Sequence, residues 1–325
     1  MRIATFNVES LDLRPKAVLP IRERIRILRP QIERLDADVL CLQEVNGQRA
    51  APHEERQLLA LDRLLETTKY ETYTRVSTTG GKGEGAADVH NLVILTRFDF
   101  KSHRQIRHEL VAPAGYRRVT AEPPDKCAQP INWDRPVLHA EIELPGGRIL
   151  HVFNLHFRAP LAVPIPGGKS APFVWNSVGA WAEGFFLADM MRAGQALEVR
   201  LAVEQLLDED NDALIMVCGD FNAQSNQTPI KILLGTEEDT GNGRLGYRAL
   251  VSLERSIAHD RRFSVLHHGG PQMVDHILVS RALLASYKQL EIHNETLGDE
   301  LVGYAKTDRS PDSYHAPLVA TFFLP

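Results

Sequence analysis

The sequence predicts an α/β fold in which two β-sheets pack face to face with helices on the outside. Three observations carry this reading. Apolar strand-like runs outnumber helical patterns, they recur in both halves of the chain, and no internal repeat, low-complexity tract or linker divides it. The 325 residues are about two average domains long, but folds with large sheets often spend that length on one unit, so a single domain over 1–325 is expected.

The elements follow in order. Residues 2–8 form a short apolar run ending in a polar cluster, a core strand. Ile21, Ile25, Leu28, Ile32 and Leu35 stand at helical spacing, with Pro30 restarting or kinking that helix. Strand character returns at 39–45, a second helical stretch covers 54–66, and strands at 70–76 and 92–96 flank the glycine-rich tip 80–85. The runs 136–144 and 149–155 are joined by Pro145-Gly146-Gly147, a tight turn. Segment 158–172 is rich in Pro, Gly and Ala and opens into a long helical pattern, 178–207, whose first half is aromatic. The stretch of about 158–195 therefore reads as an inserted helical segment. Strands follow at 213–218, 273–280 and 318–323, a short helix at 229–234, and weaker strands near Phe263 and Ile292.

Composition narrows the class. The chain is 43% apolar and 24% charged, the make-up of an ordinary globular protein, which excludes disorder and a disulfide scaffold. With 37 Lys and Arg against 42 Asp and Glu the net charge is −5, so the surface as a whole does not attract a polyanion or an anionic lipid. An anionic substrate must be held locally. Cys41, Cys127 and Cys218 are odd in number and far apart, two of them inside apolar runs, which fits a reducing cytoplasm. No run approaches a membrane span, and no stable membrane association is expected.

Six apolar runs share one feature: each carries at one end a residue that binds metal or moves protons. Asn7 closes IATF, Glu44 closes VLCLQ, Asn154 and His156 close ILHVF, and Asp220 with Asn222 follows LIMVCG. In the last third the order reverses, with Asp275 opening HILVS and His315 opening APLVATFF. Antiparallel neighbours require that reversal, because strands running up end at the rim where strands running down begin. Carboxylates, histidines and asparagines gathered there make the inventory of metal-assisted hydrolysis, and an oxygen-rich set suits Mg²⁺, with Mn²⁺ as a substitute. No zinc spacing competes, since HEERQ at His53 lacks a second histidine.

The motifs TFNVES (5–10), LQEV (42–45), NLH (154–156), GDFNA (219–223), DHILVS (275–280) and YHAPLVA (314–320) resemble, in order and spacing, the signatures of the endonuclease/exonuclease/phosphatase superfamily. The resemblance implies a deoxyribonuclease-like four-layered α/β sandwich and a Mg²⁺-dependent phosphoesterase. It implies Glu44 as the main metal ligand with Asn7 orienting it or reaching the ion through water. It makes Asp220 the general base, Asn222 a donor to a phosphate oxygen, and His315, oriented by Asp275, a donor to the developing phosphoryl charge. His156 falls near the leaving oxygen for general-acid or electrostatic help. Asn154 and Arg135 are the phosphate-binding candidates, although an ion pair with Asp134 is an equal reading for Arg135.

One departure stands out. Relatives place an aspartate before the last histidine, whereas this chain has Tyr314; Asp312 or Asp308 could swing in, but neither has the normal spacing, and a single-ion mechanism is expected. The leading function is a phosphodiester hydrolase acting on nucleic acid, DNA or RNA. The alternatives are a phosphomonoesterase or phospholipid-directed phosphodiesterase, and a phosphate-binding module without turnover.

Several motifs carry bland readings. GGKS at 167–170 fails as a phosphate loop because Val163 stands where the first glycine must be. The basic clusters 22–29, Arg117-Arg118 and Arg261-Arg262 are solvated faces or a track for a polyanion. The aromatics Phe173, Trp175, Trp181, Phe185 and Phe186 mark a helix packed on the sheet, a lid beside His156, a dimer contact or a surface for lipid or bases.

Overall fold

The computed structural model describes residues 1–13, 19–81, 84–305 and 310–324. Twelve strands form two six-stranded sheets. In chain order they are β1 (Arg2–Leu11), β2 (Val39–Val45), β3 (Thr74–Ser77), β4 (Asn91–Thr96), β5 (Asp99–Ile106), β6 (Val137–Glu143), β7 (Ile149–His156), β8 (Leu214–Asp220), β9 (Val251–Ser252), β10 (Asp275–Val279), β11 (Tyr287–Ile292) and β12 (Leu318–Phe322). The first sheet runs β11-β12-β1-β2-β4-β3 and the second β9-β10-β8-β7-β6-β5. Each is built around one parallel pair, β1 with β2 and β7 with β8, flanked by antiparallel neighbours.

Alternation along the strands sorts the core. Ile3, Val39, Cys41, Leu150, Val152, Met216 and Cys218 face inward between the sheets, while Ala4, Leu40 and Leu42 face the outer helices α1 (Ile21–Leu35) and α2 (Leu59–Leu65). On the far side Phe153, Ile215 and Val217 meet α3 (Val178–Glu209) and α4 (Thr228–Leu234). The result is four layers, helix, sheet, sheet, helix, as the sequence predicts.

Local chemistry sets the boundaries. Helix α1 runs through Pro30 without stopping and ends where Asp36 turns left-handed at φ 46°. Ser177 caps α3 by accepting the Ala180 N–H at 3.0 Å. The expected helix 54–66 is shorter, beginning at Leu59, and Lys69–Thr72 is a 3₁₀ turn, so β3 starts at Thr74. Strand β5 carries no apolar alternation: it is a mostly exposed edge strand, held by pairing to β6. The first half of α3 packs on Ile131, Trp133 and Ile165 rather than on the sheet; its Trp181 and Phe186, and Phe173 ahead of the helix, are exposed. Among the described residues no helix is long and apolar enough to cross a membrane.

Candidate active site

The two parallel pairs end at the same rim, and there the chain departs from regular strand geometry. Glu44, on β2 where its pairing with β4 shifts register, has φ 61°; His90, just before β4, has φ 58°; Asn222, two residues past β8, has φ 47°. Non-glycine residues pay for the left-handed region, and such strain gathers where side chains must be aimed. These three all line one cleft of about 780 Å³, together with His156, Asp220 and His315.

Asn7, fully buried, stands between the two halves of the site. Its Nδ2 donates to Oε1 of Glu44 at 3.2 Å and to Oδ2 of Asp220 at 3.1 Å, and its Oδ1 accepts the Glu9 N–H at 2.9 Å. Glu9 and Ser10 also turn left-handed, at φ 50° and 53°. That turn brings the Ser10 N–H and Oγ to Oε2 of Glu44, at 3.0 and 3.1 Å. Arg24 of α1 buttresses the turn, its Nη1 donating to the Glu9 carbonyl at 2.8 Å.

Asp220 accepts the Asn222 N–H at 2.8 Å on Oδ1 and the Asn222 amide at 3.1 Å on Oδ2. Nε2 of His156 lies 3.4 Å from Oδ2 of Asp220 and 3.6 Å from Oε1 of Glu44. His315 meets Oδ2 of Asp275 through Nδ1 at 2.8 Å, and its Nε2 is 4.0 Å from Asp220. Ser313 fixes that loop by donating to the Asn7 carbonyl at 2.7 Å and accepting the His315 N–H at 3.1 Å.

The electrostatics separate these groups. Complete burial pushes Asp220 up to about 7, with Asp275 adding to the shift and His315 opposing it. Burial disfavours charge on His315 too, but Asp275 and Asp220 outweigh it and hold the ring protonated, well above the ordinary histidine value. Glu44 goes the other way: burial would raise it, yet His90, His156 and His315 keep it well below the usual carboxylate range. His156 is held well below its ordinary value by burial and by Arg135, with Glu44 opposing the shift.

Most of the residues predicted from sequence meet here, and two have their amides engaged within the fold. Asn154 lies beneath the cleft, fully buried, with Oδ1 accepting from Gln43 at 2.7 Å and Nδ2 donating to the Leu42 and Val93 carbonyls at 3.0 Å each. It is a strut between the sheets, with no amide group left for phosphate. Asn222 lines the cleft, but its amide hydrogens go to Asp220 and to the Phe157 carbonyl at 3.0 Å, so none is left to donate to a phosphate oxygen. Asp312 accepts from Gln31 of α1 at 2.8 Å and does not replace the missing acid; Asp308 lies outside the described residues. Arg135 does line the cleft, donating to the Phe157 and His156 carbonyls at 3.1 and 3.4 Å, while Asp134 pairs with Arg158 instead.

Sequence reasoning missed Glu9, Ser10 and His90, which face the same cleft. The first two belong to the TFNVES motif itself. His90 opens an antiparallel strand, the very signal that singles out Asp275. Elsewhere one arginine of each basic pair is engaged within the fold: Arg118 is bonded to Asp125 at 2.7 Å, and Arg262 to the Ile257 carbonyl at 2.6 Å.

The endonuclease/exonuclease/phosphatase family profile matches residues 4–296. The chain belongs to that family. Its enzymes are phosphoester hydrolases that depend on a divalent metal ion. Solved structures agree on the fold. An AP endonuclease from Archaeoglobus fulgidus is 17% identical with a TM-score of 0.53, covering 100% of both chains. An endonuclease/exonuclease/phosphatase from Bacteroides vulgatus is 16% identical with a TM-score of 0.58, covering 98% of this chain and 97% of its own. The 3′ phosphatase NExo from Neisseria, bound to a product DNA hairpin, is 18% identical with a TM-score of 0.51 over 100% of both chains. No curated protein sequence matches the chain.

Proposed function

We propose that this family member is a metal-dependent phosphodiester hydrolase acting on nucleic acid, with Asp220 as the general base. The observation that supports it best is the convergence of Glu44, His156, Asp220 and His315 on one cleft, with Asn7 bridging the two carboxylates; Glu44 is held charged and Asp220 is raised to about 7. A base works best when its pKa lies near the working pH. Asp220, fixed by Asn7 and Asn222, takes the proton of the attacking water. His315, charged and oriented by Asp275, donates to the phosphoryl oxygens as negative charge builds on them. Arg135 adds positive charge at the same mouth.

The donor set fits a divalent ion. Glu44 presents a charged carboxylate oriented by Asn7 and Ser10, and Nδ1 of His90 is buried without a partner beside it. Glu44 would hold the ion, which would supply Lewis-acid neutralisation of phosphoryl charge. The expectation that one ion suffices stands on Tyr314: its ring is buried and its N–H donates to Glu9 at 2.9 Å, so this position offers no carboxylate.

The test is direct. Purified protein with Mg²⁺ or Mn²⁺ should hydrolyse a bis-aryl phosphodiester and at least one of plasmid, abasic duplex, single-stranded DNA or RNA. EDTA and Asp220→Asn should each abolish it. Turnover confined to phosphomonoesters or phospholipids would replace the nucleic-acid reading, and no chelator-sensitive turnover of any ester would end the enzymatic one.

A further inference from the structure

Two trios of ionisable side chains stand at the cleft, Glu44–His90–His156 and Asp220–Asp275–His315, with Asp275 buried beneath it, and within each the candidate donor atoms lie within 4.8 Å of one another. Their imidazoles differ in what they already do. In the second trio Nδ1 of His315 is committed to Asp275 at 2.8 Å, so that ring carries a proton for its acid. In the first trio Nδ1 of His90 is buried and unpartnered, 3.6 Å from Oε2 of Glu44. Nε2 of His156 stands 3.6 Å from the other oxygen of the same carboxylate. The far nitrogen of His156, Nδ1, is also buried without a partner.

These spacings are close to those of donors sharing one ion, since bonds of about 2.0–2.2 Å set adjacent donors roughly 3.0–3.5 Å apart. His90 reaches its place through a strained backbone, at φ 58°. We propose that Glu44, His90 and His156 form a mixed imidazole–carboxylate site that takes a first-row transition ion in preference to Mg²⁺. The inference rests on the reading of Glu44 as the metal carboxylate and adds two nitrogen ligands to it. Mg²⁺ favours oxygen donors and sheds its waters reluctantly, whereas imidazole favours the transition ions, so two ring nitrogens shift the balance between them.

The full chain, stripped with chelator, is titrated with Co²⁺ by visible absorption, with Mg²⁺ as competitor. One equivalent of Co²⁺ should bind and resist a tenfold excess of Mg²⁺. Asparagine tolerates the left-handed backbone, so His90→Asn removes the ring with little strain; it should weaken Co²⁺ about tenfold or more and change Mg²⁺ affinity less than about threefold. Equal Co²⁺ affinity in His90→Asn, or displacement by equimolar Mg²⁺, would overturn the site. Pulsed EPR of Mn²⁺ bound to the unaltered protein gives a second reading independent of any variant. Two ¹⁴N couplings support the site, and none overturns it. Phosphodiester hydrolysis by a protein showing no such coupling removes this site and leaves the hydrolase reading intact.

Discussion

The two halves of the molecule repeat one device, β1–α1–β2 in the first sheet and β7–α3–β8 in the second, and each delivers its polar residues at the ends of a parallel pair. The first supplies Asn7 and Glu44, the second His156 and Asp220. Yet the carboxylates behave oppositely. Glu44 faces the Ser10 N–H and hydroxyl and three imidazoles, and stays charged. Asp220 is wholly buried beside another carboxylate, Asp275, and is pushed up to about 7. Strand topology decides where a side chain ends, and its neighbours decide what it can do.

The largest effect should come from removing the proposed base. Asp220→Asn is nearly isosteric and should cost about 10²–10⁴ in kcat, roughly 3–5 kcal/mol of barrier, in a protein that remains folded by circular dichroism. An active Asp220→Asn protein would assign the base elsewhere. Glu44→Gln should also lose activity, but by a different route: metal affinity measured by calorimetry should fall about tenfold or more, while in Asp220→Asn it should stay within a few-fold. Equal metal losses in both variants would erase the division of labour between the halves.

A smaller effect is expected one step out. Asp275→Asn leaves the His315 ring in place but takes away the charge that keeps it protonated, so kcat should fall by about tenfold, less than in His315→Ala. A loss in Asp275→Asn as large as that in His315→Ala would mean that Asp275 acts on the substrate itself.

How much of this was legible in the sequence follows from the same contrast. The strand ends announce themselves because an apolar run makes a terminal Glu, Asp or His conspicuous, and the reversal in the last third reports antiparallel pairing. Asn154 shows the limit. It shares the inward face with Val152, but that the sheets close tightly enough there to bury an amide against Gln43 is a matter of packing. His90 carries the strand-opening signal, but the left-handed turn before β4 that aims its ring at Glu44 has no mark in the sequence. Strand β5 has no pattern to read, since DFKSHRQI is an edge that its partner alone makes a strand.

The smallest effect sharpens the lesson at the opposite end of the second sheet. There His139 of β6 and His151 of β7 stack at 5.5 Å, with His139 also against Phe153 at 4.2 Å. His156 at the rim is buried beside carboxylates; His139 is buried without one in hydrogen-bond contact among the described residues. Burial, aided by His151 and Arg104, pulls His139 down to about 3 from an ordinary value of 6.5. The unfolded chain therefore binds a proton below about pH 6.5 that the folded protein refuses, so stability is full above that pH and falls as the pH drops toward 3. His139→Gln removes this liability. Urea midpoints of the two proteins should run parallel above pH 7, and the original should lose ground to the variant between pH 6.5 and 4. A difference that does not change with pH would show that His139 is protonated within the fold, and that burial alone does not keep a histidine neutral in this sheet.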